Sequence, residues 1–593
     1  MGAIPFAVAA ILVVGLITYI RFPAVMSHDL IDTDSYMRMV RIEQLLDTGR
    51  WFDERIERSN APFGEELHWT RPLDVLVLII WLPLSVLGLQ DALFWAGAAV
   101  GPVLLIATGL ALGWAALPLV GASDRPLAML GTLGLPALLN YSLPGRVDHH
   151  VLLVMILVLA VGCLIRILTS NSKVREPVLM GAWLGIGLWV SVEFLLHIAA
   201  LLGLLVVAAI VSPRRFATST LLVSGALLVT ASAATFVERG PAFLTARYDS
   251  ISAAHLGSLA VVALAIWMFR GLSDRFTGGR NSRRVFLGLI LFGGAIVAIN
   301  RWFPPILMNP EQAYDPLVQS MIFDRVSEMQ PLWPRTGSDV PDLISQLGPA
   351  LLGIPIAYFL AFRNRRLPLG RAWTALFALS LFYVLLSLRA FRFAPYAQVI
   401  SLPILLGGLA QFLGSIRIHE SAVLSRVLKA SSFIVLLFGL TFIGALVRTE
   451  RAGATSGACN VESLALSLGD GAAAGTTPKT ILGFLDFGPE ILYRTPHSVV
   501  AAPYGHAPGI LDTQSVLAGR DREVAEALLV TRKVDLIALC PAIDQVLFGS
   551  DGNTIYNSLI AGRPVRGIER LRVPDPGGFL LFEVRRDRLA NSD

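Results

Sequence analysis

Long apolar runs recur along this chain, divided by short polar turns. Runs of roughly twenty apolar residues are long enough to cross a bilayer as helices. They fall near 3–22, 93–118, 125–143, 150–168, 178–194, 196–212, 216–236, 254–270, 285–301, 345–362, 372–388, 394–414 and 431–448. The pattern predicts about thirteen spans. One further run, 73–90, is ambiguous. Beyond 449 the pattern changes to that of a soluble domain. TILGFLDFG and VDLIALC read as strands, REVAEALLVTRK as a helix with apolar residues at i, i+3 and i+4, and FLLFEVRR as a last strand. Strands alternating with helices predict a small α/β domain over 449–593 after a membrane domain over 1–448.

Composition sharpens this reading. The chain is 54% hydrophobic and 15% charged, where soluble proteins carry about 25% charged residues. That excludes an ordinary soluble enzyme and predicts a polytopic α-helical protein in contact with membrane lipids. The sequence pI of about 9.2 reflects arginines in loops, and nucleic acid is not expected as a partner. The N-terminal run lacks a basic leader and a small-residue cleavage site, so it reads as a retained span. Of three cysteines, Cys163 lies in a span, while Cys459 and Cys540 lie in the tail. The tail pair is either a disulfide in an oxidising compartment or two free buried thiols.

Basic residues set the topology. Lys173 and Arg175, Arg214 and Arg215, then Arg275, Arg280, Arg283 and Arg284 follow alternate spans. So do Arg363, Arg365, Arg366 and Arg371, and then Arg417, Arg426 and Lys429. Such loops face the cytoplasm. The N-terminus is then cytoplasmic in a cell membrane, and the loops 23–92 and 302–344 and the tail lie outside. For this parity to hold, 73–90 has to lie in or re-enter the outer interface rather than cross.

Four polar groups land on the predicted outer face. They are Asp32-Thr33-Asp34, Gly145-Arg146-Val147-Asp148-His149-His150, Arg325-Val326-Ser327-Glu328, and Arg389 with Arg392. Taken singly, acids in loops are often only solvated, and they also suit a proton path. Carboxylates and imidazoles from separate loops suit a divalent cation with an open position for a substrate oxygen. A planar guanidinium beside them suits phosphate oxygens.

The same residues resemble the catalytic subunit of oligosaccharyltransferases, GT-C enzymes that move glycans from polyprenyl or dolichyl (pyro)phosphate, and the archaeal branch in particular. The matching stretches are Asp34-Ser35-Tyr36-Met37-Arg38, Trp51-Phe52-Asp53, Ala61-Pro62-Phe63-Gly64 and Trp69-Thr70-Arg71-Pro72-Leu73-Asp74. Gly145 to His150 match G-x-x-D-H-H, and Arg325 to Pro331 match the outer-loop S-V-S-E motif with its Gln-Pro. Arg392-Phe393 match the late-span R-F. Order and spacing agree over about residues 1–415. The resemblance implies that Asp34, Asp148 and His150 hold Mg2+ or Mn2+. It implies that Glu328 completes the site or orients the acceptor, and that Arg392 holds the donor phosphate. Asp34 or Glu328 would handle the acceptor's proton. Asp32 and His149 are further candidates on the acceptor side.

The tail departs from that family. Its W-W-D-Y-G motif, which binds the Asn-x-Ser/Thr hydroxyl, has as counterpart Phe484-Leu485-Asp486-Phe487-Gly488. The Asp and Gly remain and both tryptophans are gone, so Asp486 is the one acceptor-side candidate there. The expected function is metal-dependent glycosyl transfer from a polyprenyl-(pyro)phosphate sugar to a protein, glycan or lipid acceptor outside the membrane. The nearest alternative is the same site acting on a polysaccharide or glycolipid. A transporter is a remote one, since transporters place ionisable groups near the midplane, often within inverted repeats.

Overall fold

The computed structural model describes residues 3–170, 173–277, 280–308, 314–322, 325–415, 422–447, 459–469, 477–504, 508–549, 552–574 and 576–590. Arg417 of the last basic loop, and residue 448 at the end of the last expected span, lie outside them. The chain forms two compact units. A helical unit comprises Met1–Asp29, Trp69–Pro310 and Val326–Thr449. A mixed unit comprises Leu30–His68, Glu311–Arg325 and Glu450–Asp593.

The chain is a multi-pass α-helical membrane protein. Among the described residues, nine helices of the helical unit are long and apolar enough to cross a bilayer, and Ile4–Ile20 and Pro72–Val86 are shorter apolar helices. Proline opens the helices Pro72–Val86, Pro136–Tyr141, Pro213–Arg239 and Pro368–Arg389. At the first helical position its fixed φ fits and its missing N–H costs no bond. The helix His150–Thr169 is the best covered, with 83% of its apolar window buried, against 17% for Asn281–Trp302. The first is therefore at the centre of the bundle and the second at its edge. Helix Arg175–Val190 lies close against Pro213–Arg239: a Cβ on Gly181 would sit 2.4 Å from the Val223 carbonyl oxygen. Small residues allow such approach where lipid offers no hydrophobic drive.

Several expected spans are interrupted. Runs 93–118 and 125–143 fall on one helical stretch, Ala92–Gly131, broken at Gly121 (φ 78°, ψ 174°). The second run then continues through a 3-10 turn, Thr132–Gly134, and the short helix Pro136–Tyr141. Runs 178–194 and 196–212 meet at an extended residue, Ser191 (φ −159°, ψ 141°), followed by a 3-10 turn, Val192–Phe194, and the helix Leu195–Val211. The same design recurs at Ala390 (φ −153°, ψ 130°), with a 3-10 turn, Phe391–Phe393, before helix Ala394–Ser415. Segment 73–90 forms the helix Pro72–Val86, whose first turn is tied into the bundle. The Arg71 amide donates to Glu238, and Arg71 pairs with the fully buried Asp74 at 3.2 Å.

The mixed unit carries two strands near its start, β1 (Arg55–Ile56) and β2 (Glu65–Glu66), paired antiparallel. Its main sheet holds β3 (Thr480–Gly483), β4 (Ser498–Val499), β5 (Leu536–Leu539), β6 (Ile568–Leu571) and β7 (Leu580–Val584) in the order β4-β3-β5-β7-β6. β3 runs parallel to β4 and β5, while β7 runs antiparallel to β5 and β6. The three strands expected in the tail are β3, β5 and β7, and the expected helix is Arg522–Thr531. The short β4 and the polar β6 carried no apolar pattern of their own. β5 is buried on both faces, which explains its unbroken apolar run. Early residues are part of this unit. Arg58 donates to the carbonyls of Leu492, Thr495 and His497, closing the C-terminal end of helix Gly488–Arg494. Cys459 and Cys540 form a disulfide, and Cys163 is free and buried.

Two predictions follow from this unit. A denatured, non-reduced sample should show one reactive thiol per chain, and three after reduction. Because the bridge spans 81 residues, breaking it should destabilise the unit by roughly 2–5 kcal/mol. Three reactive thiols before reduction would contradict the bridge. The second concerns pH. Burial pushes the Glu65 carboxyl from 4.5 up to about 8, against the Ser59 hydroxyl that donates to it. Burial likewise raises Asp544 from 3.8 to about 7 and Glu43 from 4.5 to about 7. A carboxyl raised by folding contributes fully below its unfolded value, and the contribution is lost as pH rises through the folded value. Protection of β5 amides from hydrogen exchange in the full chain should therefore fall between about pH 4.5 and 8. Glu65→Gln should flatten the upper part of that fall, and a pH-independent protection would contradict it.

Candidate functional site

In the helical unit the chemistry gathers at the N-terminal end of helix His150–Thr169. The turn before it is shaped by Gly145 (φ 86°), a left-handed conformation that a side chain disfavours. The Gly145 amide also donates to the Ala98 carbonyl, seating the turn on the preceding helix. Asp148 follows at the mouth of the helix, where its Oδ1 accepts from the His150 amide at 3.4 Å. A carboxylate there meets unpaired amides and the positive end of the helix dipole.

Asp148, His149 and His150 each offer a ligand atom, all within 4.8 Å of one another. His149 Nδ1 lies 3.1 Å from Asp148 Oδ1, and His150 Nε2 lies 3.9 Å from Asp148 Oδ2. Glu328 joins from the 3-10 turn Ser327–Met329, with its Oε2 3.6 Å from His150 Nε2. Its loop is pinned to the break at Ala390. The Phe391 amide donates to the Gln330 carbonyl, and the Leu332 and Trp333 amides donate to the Ser387 and Leu388 carbonyls. Tyr141 donates its hydroxyl to Glu328 at 3.2 Å. Arg146 lies 3.5 Å from both Glu328 and Asp148, its guanidinium over the Tyr141 ring.

Burial alone would raise both acids. The neighbouring His150, with His149 and Arg146, outweighs it and holds Asp148 well below the usual carboxylate range. Against the same burial, His150 and Arg146 hold Glu328 below its ordinary value. Both are anionic at neutral pH.

Arg392 sits in the middle of the 3-10 turn at the second break and pairs with Glu193, in the middle of the turn at the first, at 2.6 Å. Glu193, Tyr141 and Arg146 were not among the expected site residues. The sequence signal for Glu193 was an acid inside an apolar run, which is costly without a purpose.

Asp32, Asp34 and Asp486 lie in the mixed unit. Asp32 caps helix Thr33–Thr48: its Oδ1 accepts from the Ser35 amide at 2.9 Å and the Ser35 hydroxyl at 2.6 Å. Such a cap contributes about 1 kcal/mol. Asp34, in the first turn, accepts from Tyr504 at 3.3 Å. Tyr36 donates to Glu490, which also accepts from Arg494, so the start of this helix is bound to helix Gly488–Arg494. Asp486 lies in a 3-10 turn Leu485–Phe487 that leads from β3 into that helix; its surface is exposed, yet the surrounding protein pushes its carboxyl from 3.8 up to about 6, against the Arg325 charge that lowers it. The two residues before it point inward: Phe484 is 6% and Leu485 2% exposed. Phe487 packs edge-on against Phe484 and Phe579.

No protein-family model matches the chain, nor does any curated protein. Solved structures do. The archaeal oligosaccharyltransferase AglB from Archaeoglobus fulgidus, in complex with an inhibitory peptide and a dolichol-phosphate, aligns with a TM-score of 0.67 at 14% identity, over 93% of this chain and 70% of that one. An oligosaccharyltransferase of the same organism with zinc and sulfate aligns at 0.63 and 13% identity, over 87% of this chain and 64% of that one. Tethered to an acceptor peptide containing the NVT sequon, it aligns at 0.64 and 14% identity, over 85% and 64%. The chain therefore has the fold seen in these archaeal oligosaccharyltransferase structures.

Proposed function

We propose that the chain is a metal-dependent glycosyltransferase that takes a sugar or oligosaccharide from a polyprenyl-(pyro)phosphate donor on the outer face of the membrane. The observation that carries this reading is the convergence of Asp148, His149, His150 and Glu328 in one unit that also holds Arg392. Two carboxylates and two imidazoles are a mixed oxygen and nitrogen set, which suits Mn2+ better than Mg2+, an ion that prefers oxygen ligands alone. One atom of the set is orphaned: His150 Nδ1 is buried with no hydrogen-bond partner among the described residues, a nitrogen left open to a cation. Asp148 and His150 would hold the ion, with Glu328 and His149 beside them. Asp34, which the family resemblance adds to the set, belongs to the mixed unit and rests on the sequence match.

A bound divalent ion supplies Lewis-acid stabilisation of charge on the leaving phosphate. The remaining chemistry belongs to the chain. Arg392 presents a planar fork to phosphate oxygens. Tyr141 and Arg146 hold Glu328 in one orientation, and its anionic carboxylate can take the proton of the attacking group. The sidedness is supported by the basic loops and by the Cys459–Cys540 disulfide, a bond that persists in oxidising compartments.

The acceptor reading differs from that of the solved relatives, one of which carries an Asn-Val-Thr peptide. Phe484 and Leu485, at the positions of the two missing tryptophans, are core residues of the mixed unit and give Asp486 no aromatic walls. A site without such walls discriminates poorly for a hydroxyl. We therefore favour a glycan, lipid or atypical protein acceptor.

Asp148→Ala should lower transfer by a factor of a hundred or more, on the order expected for loss of a principal electrostatic contact. Chelation should do the same, with activity restored by Mn2+. Full activity of the purified enzyme in excess EDTA would contradict the metal. The acceptor is tested with total lipid-linked donor and a peptide pair, Asn-x-Thr against Asn-x-Ala. Neither should be glycosylated efficiently, and strong modification of the first alone would restore sequon recognition.

A further inference from the structure

Two helix breaks in the bundle are built alike and carry opposite charges. At each, one extended residue, Ser191 or Ala390, ends a helix and a three-residue 3-10 turn begins the next. The middle residue of the first turn is Glu193, and that of the second is Arg392. Both breaks are fixed from outside. The Thr70 hydroxyl donates to the carbonyls of Trp189 and Val190, and the Ser191 hydroxyl accepts from the Glu193 amide. Gln330 accepts from the Phe391 amide. Trp189 is itself held through Nε1 by Glu238. Neither charged residue is free to drift with a fraying helix end.

The pairing is end-on. Arg392 donates from Nη1 to Glu193 at 2.6 Å, and this is the guanidinium's hydrogen bond among the described residues. Its Nε is buried without a partner. A buried, charged donor left unpaired is costly, and such groups call for an explanation. With Nη1 committed to Glu193, the other edge of the fork, Nε with Nη2, remains. That is the edge a guanidinium uses to bind two oxygens of one phosphate side-on. Both side chains keep about a quarter of their surface exposed, 27% for Glu193 and 22% for Arg392, so the pair lies at an accessible surface.

We propose that Glu193 is a positioning residue for Arg392: by holding Nη1 it fixes the guanidinium's rotation and presents the Nε–Nη2 edge to the phosphoryl group of the donor. This rests on the phosphate-donor reading above. The role is geometric. Reach matters more than charge, because a carboxylate's charge by itself repels a phosphate.

That order is tested with two variants that separate charge from reach. Glu193→Gln keeps the reach and the acceptor oxygen but loses the charge. Glu193→Asp keeps the charge but falls one methylene short. The purified full-length chain is titrated with undecaprenyl phosphate in detergent micelles and binding is read by native mass spectrometry, with melting temperature as a control for folding. Glu193→Gln should stay within about threefold of the parent, and Glu193→Asp should bind about tenfold more weakly, the order expected for disturbing a partly buried charged pair. In an Arg392→Lys background, which has no fork, the two should differ by less than about twofold. Glu193→Asp binding as tightly as the parent, or an undiminished difference on Arg392→Lys, overturns the inference. Binding that depends on Arg392 but on neither Glu193 variant overturns it and leaves the phosphate-donor reading standing. A parent chain that does not bind the probe overturns both.

Discussion

Backbone that leaves the helical path among packed helices has to find its hydrogen bonds inside the protein. The helical unit meets that demand at the turn before His150, at Ser191 and at Ala390, and its candidate chemistry sits at those three places. The Gly145 turn is tied to Ala98, the Ala390 break to the loop that carries Glu328, and the Ser191 break to Thr70. Each tie that satisfies a backbone group also aims a charged side chain. Asp148 and His150 come from the first place, Glu193 from the second, and Arg392 with the Glu328 loop from the third. Removing a tie would then be felt as lost geometry before lost stability.

The charges so gathered come close to balance. Asp148, Glu328 and Glu193 stand among Arg146, Arg392 and two histidines. Buried ion pairs contribute little net stability once desolvation is counted, while losing one partner costs several kcal/mol. A cluster of this kind is better explained by what it binds than by what it stabilises. Its donors and acceptors suit a cation and an anion side by side, as a metal and a phosphate would be.

Much of this was legible in the sequence. The Gly145–His150 turn and Arg392 stood out because polar residues at the ends of apolar runs are few, while Glu328, in a long loop, stood out only through the resemblance of Arg325–Pro331 to a family motif. The strands β3, β5 and β7 showed themselves by unbroken apolar stretches, and Arg522–Thr531 by its period. What escaped were features that depend on contact rather than pattern. Glu193 lay within an apolar run with no motif around it. Tyr141 read as part of a span, because nothing in its neighbourhood says that a 3-10 turn and a short helix interrupt it. Asp32 and Asp34 looked like a pair, whereas the first caps a helix and the second accepts from Tyr504. The membership of 30–68 in the mixed unit was hidden for the same reason: Arg58, Asn60 and Ala61 bond to residues more than 400 positions away.

We propose glycosyl transfer from a lipid-linked donor at the Asp148–His150–Glu328 cluster. It is met most directly by mass spectrometry of lipid-linked sugars and glycoconjugates from cells that carry either the parent chain or Asp148→Ala at equal levels in the membrane. A polyprenyl-linked sugar should accumulate in the variant while one class of exported glycan, glycolipid or glycoprotein disappears. Identical profiles in the two would contradict it.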